Sequence, residues 1–370
     1  MNAHLDYRWN GDVDEWVLAV ELWNQGFVCS TSNGVVRTYD FTGGPMNQFT
    51  AHEGSINAIK FIDSNLLSTC STDGIKIWDL RTQQQVHGLT NDNNTFLSLD
   101  YRQNILAGGT ELMGTDAELH LWDIRNPQAP MKSYVDSHHD DITAIKFHPT
   151  QSQYLMSGST DGYVNIYDLN ETDEDDSLHQ VINYNSVHSC NFISPQRIAI
   201  LSHMETLSFH SLNNTNYETI EEKEMNDLGD VRSNWTDCEY VIDLNPQGFV
   251  SFGANSANSL SLVPFNGKSE TFDLSKRINF PGAHGEEVVR DMKVWDGKAL
   301  TCGEDGVVKL WKLPYVVELN EVSEEKEKKE KKHKDKKDKK HKDKKDKKDR
   351  KDKKHKDKKD KKDDVRFKPY

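Results

Sequence analysis

Long apolar runs are missing from this chain of 370 residues. No stretch approaches the ~18 consecutive apolar residues that a membrane-spanning helix requires, so we expect no membrane insertion. The first segment, MNAHLDYRWNGDVDE, has no basic start followed by an apolar run. It therefore does not predict a signal peptide.

Cysteine is scarce. The 5 cysteines are dispersed, and most lie in short apolar runs such as FVCST and LTCGED. An odd and dispersed set is typical of buried free thiols in a reducing compartment, not of a disulfide framework. No Cys/His pair has zinc-ligand spacing, so we expect neither a metal nor another cofactor.

Catalytic motifs are missing as well. The chain contains no G-x-S-x-G elbow, no H-E-x-x-H pair and no glycine-rich phosphate loop, which are the common signatures of hydrolases and nucleotide enzymes. Its Ser, His and Asp sets fall at positions that recur along the chain, whereas a catalytic residue is expected to break a repeat. We therefore predict that the protein is not an enzyme.

Charge is divided unevenly between two parts of the chain. Residues 321–370 contain 26 Lys and Arg against 15 Asp and Glu, whereas the first 320 residues contain 20 against 45. The last fifty positions include only 4 apolar residues. Such a composition cannot bury a core, so we predict a folded domain followed by a tail.

A short pattern recurs in the folded part, at 31–41 (TSNGVVRTYDF), 71–80 (STDGIKIWDL), 159–169 (STDGYVNIYDL) and 302–313 (CGEDGVVKLWKL), with a longer-turn copy at 109–124. Each copy joins a tight polar turn to alternating apolar residues, which is typical of a hairpin. Three copies follow a histidine that precedes another alternating strand: His52, His138 and His284. The aromatic residues that end the copies lie 39, 44, 45 and 144 residues apart.

These residues resemble the WD-repeat (WD40) family, whose unit of ~40–45 residues folds as one four-stranded propeller blade. The resemblance implies an all-β fold, a seven-bladed β-propeller over residues 1–317, with two weak blades within 186–283. Two segments compete for the last blade's fourth strand, 4–9 and 315–319. We favour 4–9, because pairing the two chain ends protects both sheet edges.

The family also implies a buried hydrogen-bond network in a blade, formed by His, Ser or Thr, Asp and Trp. A buried carboxylate needs donors, and the other members supply them. The matching residues are His52, Thr69, Asp73 and Trp78 in blade two, His138, Ser157, Asp161 and Tyr167 in blade four, and His284, Thr301, Asp305 and Trp311 in blade seven. Blade two is one residue short between Asp73 and Trp78, which puts its network in question.

Acidic loops are the first candidate partner sites. Their excess charge would attract a basic protein segment and repel nucleic acid, although it could also serve solubility alone. The candidates are Asp140, Asp141, Glu286 and Glu287, just after repeat histidines, and Glu221, Glu222, Glu224 and Asp227, in the longest predicted insertion between blades.

Two W-D-x-R sequences form a second candidate. WDLR (78–81) and WDIR (122–125) close consecutive blades. They resemble the motif by which WD-repeat substrate receptors dock on cullin-RING ubiquitin ligases, which would give Arg81 and Arg125 that contact. The alternative is that each arginine pairs locally on the rim.

The tail is low in complexity, and we predict disorder over 318–364. Lys331, Lys332 and Lys334 form a KKHK run that fits a nuclear-import signal, whereas the alternative is a solubilising tail. A short apolar motif, VRFKPY, follows at 365–370.

The resulting hypothesis is a monomeric, non-catalytic protein-interaction scaffold of the nucleus or nucleolus, with the cytoplasm as the alternative. It would bind or chaperone a basic client, such as a ribosomal protein or a histone. The alternative function is a substrate receptor of a cullin-RING ubiquitin ligase.

Overall fold

The structure is a computed structural model, which describes residues 1–12, 14–23, 26–90, 95–214 and 223–319. These residues form seven antiparallel sheets, six with four strands and one with five. The predicted all-β seven-bladed propeller is thereby confirmed. The predicted tail beyond residue 319, with Lys331, Lys332, Lys334 and the 365–370 motif, lies outside the described residues.

The strands follow the repeats in chain order, with three to five consecutive strands in every sheet. Blade one contains β2 to β5: Val17–Trp23, Gly26–Thr31, Val35–Asp40 and Pro45–Thr50. Blade two contains β6 to β9: Ala58–Phe61, Leu66–Ser71, Gly74–Asp79 and Gln84–Leu89. Blade three contains β10 to β13: Phe96–Arg102, Ile105–Thr110, Ala117–Asp123 and Lys132–His138. Blade four contains β14 to β17: Ile142–Phe147, Tyr154–Ser159, Tyr163–Asp168 and Leu178–Asn183.

The two weak repeats and the last repeat complete the ring. Blade five contains β18 to β21: Val187–Ser194, Arg197–Ser202, Thr206–Ser211 and Asn226–Asp230. Blade six contains β22 to β26: Tyr240–Asn245, Phe249–Ala254, Ser259–Asn266, Thr271–Phe272 and Ile278–Pro281. Blade seven contains β27 to β29 with β1: Val289–Trp295, Lys298–Gly303, Val307–Lys312 and His4–Asn10. The helical elements are short: α1 at Glu174–Ser177 and 3₁₀ turns at Val231–Ser233 and Leu274–Lys276.

The last blade is completed by the first strand of the chain. β1 pairs antiparallel with β29, with His4 opposite Lys312 and Asn10 opposite Val307. The competing segment, 315–319, forms no strand, and its Val317 is buried in the cluster between blades six and seven. Pairing of the two ends leaves the ring without an open interface between blades.

The hydrophobic core is divided among the interfaces between blades. Each of the seven buried clusters joins residues of two neighbouring blades. The cluster that contains Trp9, Val20 and Leu300 joins blade seven to blade one. Alternation along each strand supplies one face to each neighbour. Because every blade buries both of its faces against neighbours, no blade has a complete core of its own.

The fourth strand of blade five differs from the prediction. The acidic stretch around Glu224 and Asp227 was predicted to lie in an insertion between blades five and six. Instead, Asn226–Asp230 forms β21, the fourth strand of blade five, and pairs with β20. Tertiary pairing on β20 overrides the poor strand propensity of Asp, Asn and Gly there.

The first strand of each blade lies nearest the axis of the ring: β2, β6, β10, β14, β18, β22 and β27. Each carries one polar residue at the same register position, and we call these seven residues the belt. Lys60 lies 2.7 Å from Asp100 in the next blade, and Lys293 lies 3.2 Å from Glu21 across the ring closure. In order from blade one, the belt is Glu21, Lys60, Asp100, Lys146, Asn191, Asp243 and Lys293. The signs of charge alternate, except at Asn191.

The odd number of blades explains why one position of the belt is uncharged. Seven positions cannot alternate in sign all the way round, so two like charges would meet unless one position is uncharged. Asn191 stands at that position, and its amide donates to the Asp243 carboxylate (3.0 Å) and to the Leu244 carbonyl (3.2 Å). The belt therefore links neighbouring blades without placing two like charges side by side.

We predict that Asn191→Asp destabilises the propeller, because it places a buried carboxylate beside the half-buried Asp243. The expected loss in the free energy of unfolding is about 2–4 kcal/mol. Adding Asp243→Asn moves the neutral position by one blade and should recover part of the loss. The measurement is a double-mutant cycle from urea unfolding followed by tryptophan fluorescence, with Asp243→Asn alone as the control. Strictly additive losses would contradict the alternation.

Candidate protein-interaction surface

Blade seven contains the complete predicted network. His284 Nδ1 lies 2.6 Å from Asp305, His284 Nε2 lies 2.9 Å from the Thr301 hydroxyl, and Trp311 Nε1 donates to that hydroxyl (3.0 Å). Burial lowers the pKa of His284, which favours the neutral ring. One chain of donors follows, in which Trp311 donates to Thr301, Thr301 to His284 and His284 to Asp305.

Blade two forms the same network in spite of its missing residue. His52 bonds to Asp73, its Nε2 lies 2.6 Å from the Thr69 hydroxyl, and Trp78 Nε1 donates to Thr69 (3.0 Å). The shortened turn is taken up at Gly74, whose φ is +107°, a conformation that glycine adopts without strain. The deletion therefore does not disrupt the network.

Blade four holds a looser version. His138 lies 2.9 Å from Asp161 and 2.7 Å from the Ser157 hydroxyl. The hydroxyl of Tyr167, which replaces Trp, lies 3.5 Å from that of Ser157, at the limit of a hydrogen bond. Tyr167 instead stacks on Tyr134 with 4.3 Å between ring centroids.

Other blades use ion pairs that the sequence analysis missed. In blade one, the buried Glu15 pairs with Arg37, and Arg37 also lies 2.7 Å from Asp12. Between blades five and six, Arg197 lies 2.7 Å from the buried Glu270. Arg37 occupies the same repeat position as Lys76 and Lys309, two residues before the blade's aromatic residue, so an alignment of the copies would have indicated its role.

These networks hold the turns and loops on one face of the propeller, which we call the upper face. It carries the loops of His52, His138 and His284 and the turns of Asp73, Asp161 and Asp305. Asp140 and Asp141 project there from blade four, and the exposed Glu286 and Glu287 project from blade seven. The Asp141 carboxylate also accepts from the Leu112 amide (2.8 Å).

The second acidic group lies elsewhere. Asp227 is in the outer strand of blade five, where it accepts from the Tyr184 hydroxyl (3.2 Å). The Glu224 carbonyl accepts from Arg197 (2.7 Å). Both are at the outer edge of the blade, apart from the loops after the repeat histidines, and Glu221 and Glu222 lie outside the described residues.

The two W-D-x-R arginines are exposed on the opposite, lower face. Arg81 lies 2.6 Å from Asp79, and Arg125 lies 2.5 Å from Asp123. These hydrogen bonds lower the pKa of both aspartates to about 2. Each guanidinium is thus paired locally, within its own motif.

Within the described ranges, we find neither a membrane-spanning helix nor a metal-binding cluster. Their helices are all too short or too polar to span a bilayer. Those residues also contain no group of three or more His, Cys, Asp and Glu placed to hold a metal ion. All five cysteines are free and buried, and burial raises the pKa of Cys190 to about 12.

Comparison with known proteins agrees with this architecture. The model of the WD domain, G-beta repeat, matches residues 43–79 and 130–168. A WD repeat-containing protein of Saccharomyces cerevisiae is 44% identical over 312 residues, which cover 81% of this chain and 79% of that protein. The chain therefore belongs to the WD-repeat family, whose propellers generally serve as protein-interaction scaffolds.

Two further relatives extend the similarity. A WD repeat-containing protein of Schizosaccharomyces pombe is 28% identical over 334 residues, covering 85% of this chain and all of that protein (100%). The WD repeat-containing protein 89 homolog of Dictyostelium discoideum is 29% identical over 318 residues, covering 81% of this chain and 84% of that protein. The similarity thus extends over most of the length of all three relatives.

We predict that Trp311→Ala lowers the free energy of unfolding by about 3–5 kcal/mol, because it removes a buried aromatic ring and a donor to Thr301. Trp295→Ala is the matched control. Trp295 is only partly buried and packs on Phe41 with 5.2 Å between centroids, outside the network. The measurement is urea unfolding of both variants. A smaller loss for Trp311→Ala than for Trp295→Ala would contradict the importance of the network.

Proposed function

We propose that the protein is a non-catalytic scaffold whose upper face binds a basic segment of a partner protein. The observation that carries the proposal is the position of four carboxylates on loops beside the buried networks: Glu286 and Glu287 are exposed, and Asp140 and Asp141 are half-buried. Carboxylates held on a rigid surface attract a lysine- or arginine-rich segment without ordering cost of their own.

The local cations do not cancel this charge. On the upper face, Arg290 pairs with Glu304, and Arg232 lies 2.7 Å from Asp230. Each of these arginines offsets a neighbouring acid and leaves the loop carboxylates uncompensated. The same field disfavours a phosphate backbone, which supports a protein partner and not direct nucleic-acid binding by the propeller.

The client is proposed by its chemistry: a basic nuclear protein, such as a ribosomal protein or a histone. The nuclear or nucleolar location rests on the lysine-rich tail sequence. Arg81 and Arg125 are each paired with the aspartate two residues before them, which supports a local role on the rim and favours the scaffold over a ubiquitin-ligase substrate receptor.

We predict that neutralising the upper-face acids weakens binding of a lysine- and arginine-rich peptide. The variant is Asp140→Asn, Asp141→Asn, Glu286→Gln and Glu287→Gln, whose amides keep the acceptor oxygens. We expect the association rate constant to fall by about tenfold at low ionic strength, with a smaller effect at high salt. Stopped-flow fluorescence with a labelled peptide measures it.

The matched control changes the same number of charges in the connections that leave the lower ends of β16 and β27: Glu171→Gln, Asp175→Asn, Asp176→Asn and Asp296→Asn. It should bind the peptide nearly as the unaltered protein does. Equal losses in the two variants would mean that only net charge matters. No loss in either would leave the acidic loops with a role in solubility alone.

We also predict that deletion of 321–364 slows nuclear accumulation while the propeller stays folded, because the deletion removes the lysine runs. A fusion to a bulky fluorescent protein prevents passive entry, and live-cell imaging gives the accumulation rate. Lys331→Gln, Lys332→Gln and Lys334→Gln together should slow it in part, whereas the same change at Lys344, Lys345 and Lys347 serves as the control. An unchanged rate after deletion would remove the targeting role.

A further inference from the structure

The loop between β11 and β12 departs from the repeat. In blades two, four and seven, the corresponding turns are tight and centred on Asp-Gly, whereas blade three inserts Glu111–Asp116. Its tip exposes two large apolar side chains, Leu112 (38% exposed) and Met113 (52%). The blade does not need these residues for its own packing, since the buried face of β12 begins at Ala117.

The loop is held firmly in spite of its exposure. The Leu112 amide donates to the Asp141 carboxylate (2.8 Å), and the Met113 amide donates to the Asp116 carbonyl (3.1 Å). His139 Nδ1 lies 2.8 Å from Asp116 Oδ1. The loop of blade three is thus tied to the loop of blade four, and its apolar tip is already ordered before any partner arrives.

Carboxylates surround this tip. Asp116, Asp140 and Asp141 belong to the two joined loops, and neither 103–118 nor 133–145 contains a lysine or an arginine. An apolar pair with acidic neighbours is complementary to an apolar side chain that has basic neighbours. A phosphate-bearing ligand has the wrong sign of charge, and a purely basic segment would leave the apolar pair uncovered.

We propose that Leu112 and Met113 form the apolar subsite of the upper face, and that its occupant is a partner-protein segment in which a leucine or a similar side chain lies between lysines or arginines. The inference rests on the proposed function and adds the sequence type that the surface selects. Asp140 and Asp141 would hold the basic neighbours, while Leu112 and Met113 cover the apolar side chain.

The test compares two labelled peptides of equal length and charge, one with only Lys, Arg and Gly and one with a central leucine in place of a glycine. Fluorescence anisotropy gives the affinity of each for the full-length protein. We expect the leucine peptide to bind about tenfold tighter, which corresponds to partial burial of one leucine. The advantage should persist at high salt, where charge attraction is screened.

The variant Leu112→Ser with Met113→Ser should abolish the advantage of the leucine peptide and leave binding of the Lys/Arg/Gly peptide unchanged. The matched control replaces two exposed apolar residues outside the upper face, Met131→Ser and Val316→Ser (58% and 68% exposed). It should keep the advantage. Thermal melting of both variants verifies that they fold equally well.

The two proposals fail in different ways. If neither peptide binds at low salt, or if a DNA duplex of equal length binds more tightly than both, the proposed basic-segment function is wrong. If both peptides bind but leucine gives no advantage, or if the Leu112/Met113 variant keeps that advantage, the proposal of an apolar subsite is wrong. The proposed binding of a basic segment by the acidic loops would then still hold.

Discussion

Antiparallel pairing of β1 with β29 keeps the ring closed, and the packing of every blade depends on it. Each hydrophobic cluster lies between two blades, so an open ring would expose apolar surface on both sides of the gap. The pairing joins residues as far apart in the chain as His4 and Lys312. Its loop-closure entropy is large, and the seven interfaces formed together offset it.

The polar belt on the inner strands follows from the same closed geometry. Neighbouring inner strands meet around the axis, so a charge on one strand faces a charge on the next. Lys60 with Asp100, and Lys293 with Glu21, show opposite charges used as links between blades. Asn191 removes the conflict that an odd number of blades creates, and it still donates to Asp243.

The upper face contains two kinds of segment: turns held by the buried networks, and loops that differ from blade to blade. The network of His284, Thr301, Asp305 and Trp311 is satisfied internally, which leaves it no free group for a partner. Binding chemistry therefore falls to residues beside the networks, such as Asp140, Glu286 and the Leu112–Met113 tip. The proposed binding specificity therefore lies in the loop residues that do not follow the repeat, and the repeated turns hold those loops in position.

The sequence by itself determined the blade, the number of blades and the His-centred networks of blades four and seven, because turn, strand and network residues such as His284 and Asp305 lie within one local repeat. The network of blade two, which the sequence left in question, depends on the turn at Gly74. Only the tertiary structure decided which contacts join different blades: the belt, the Arg197–Glu270 pair, the pairing of Asn226–Asp230 with β20 and the tie from Leu112 to Asp141. These partners belong to different repeats or follow a long connection. No local period records them, since they become neighbours only when the ring closes and the twist of each sheet sets which side chains face each other.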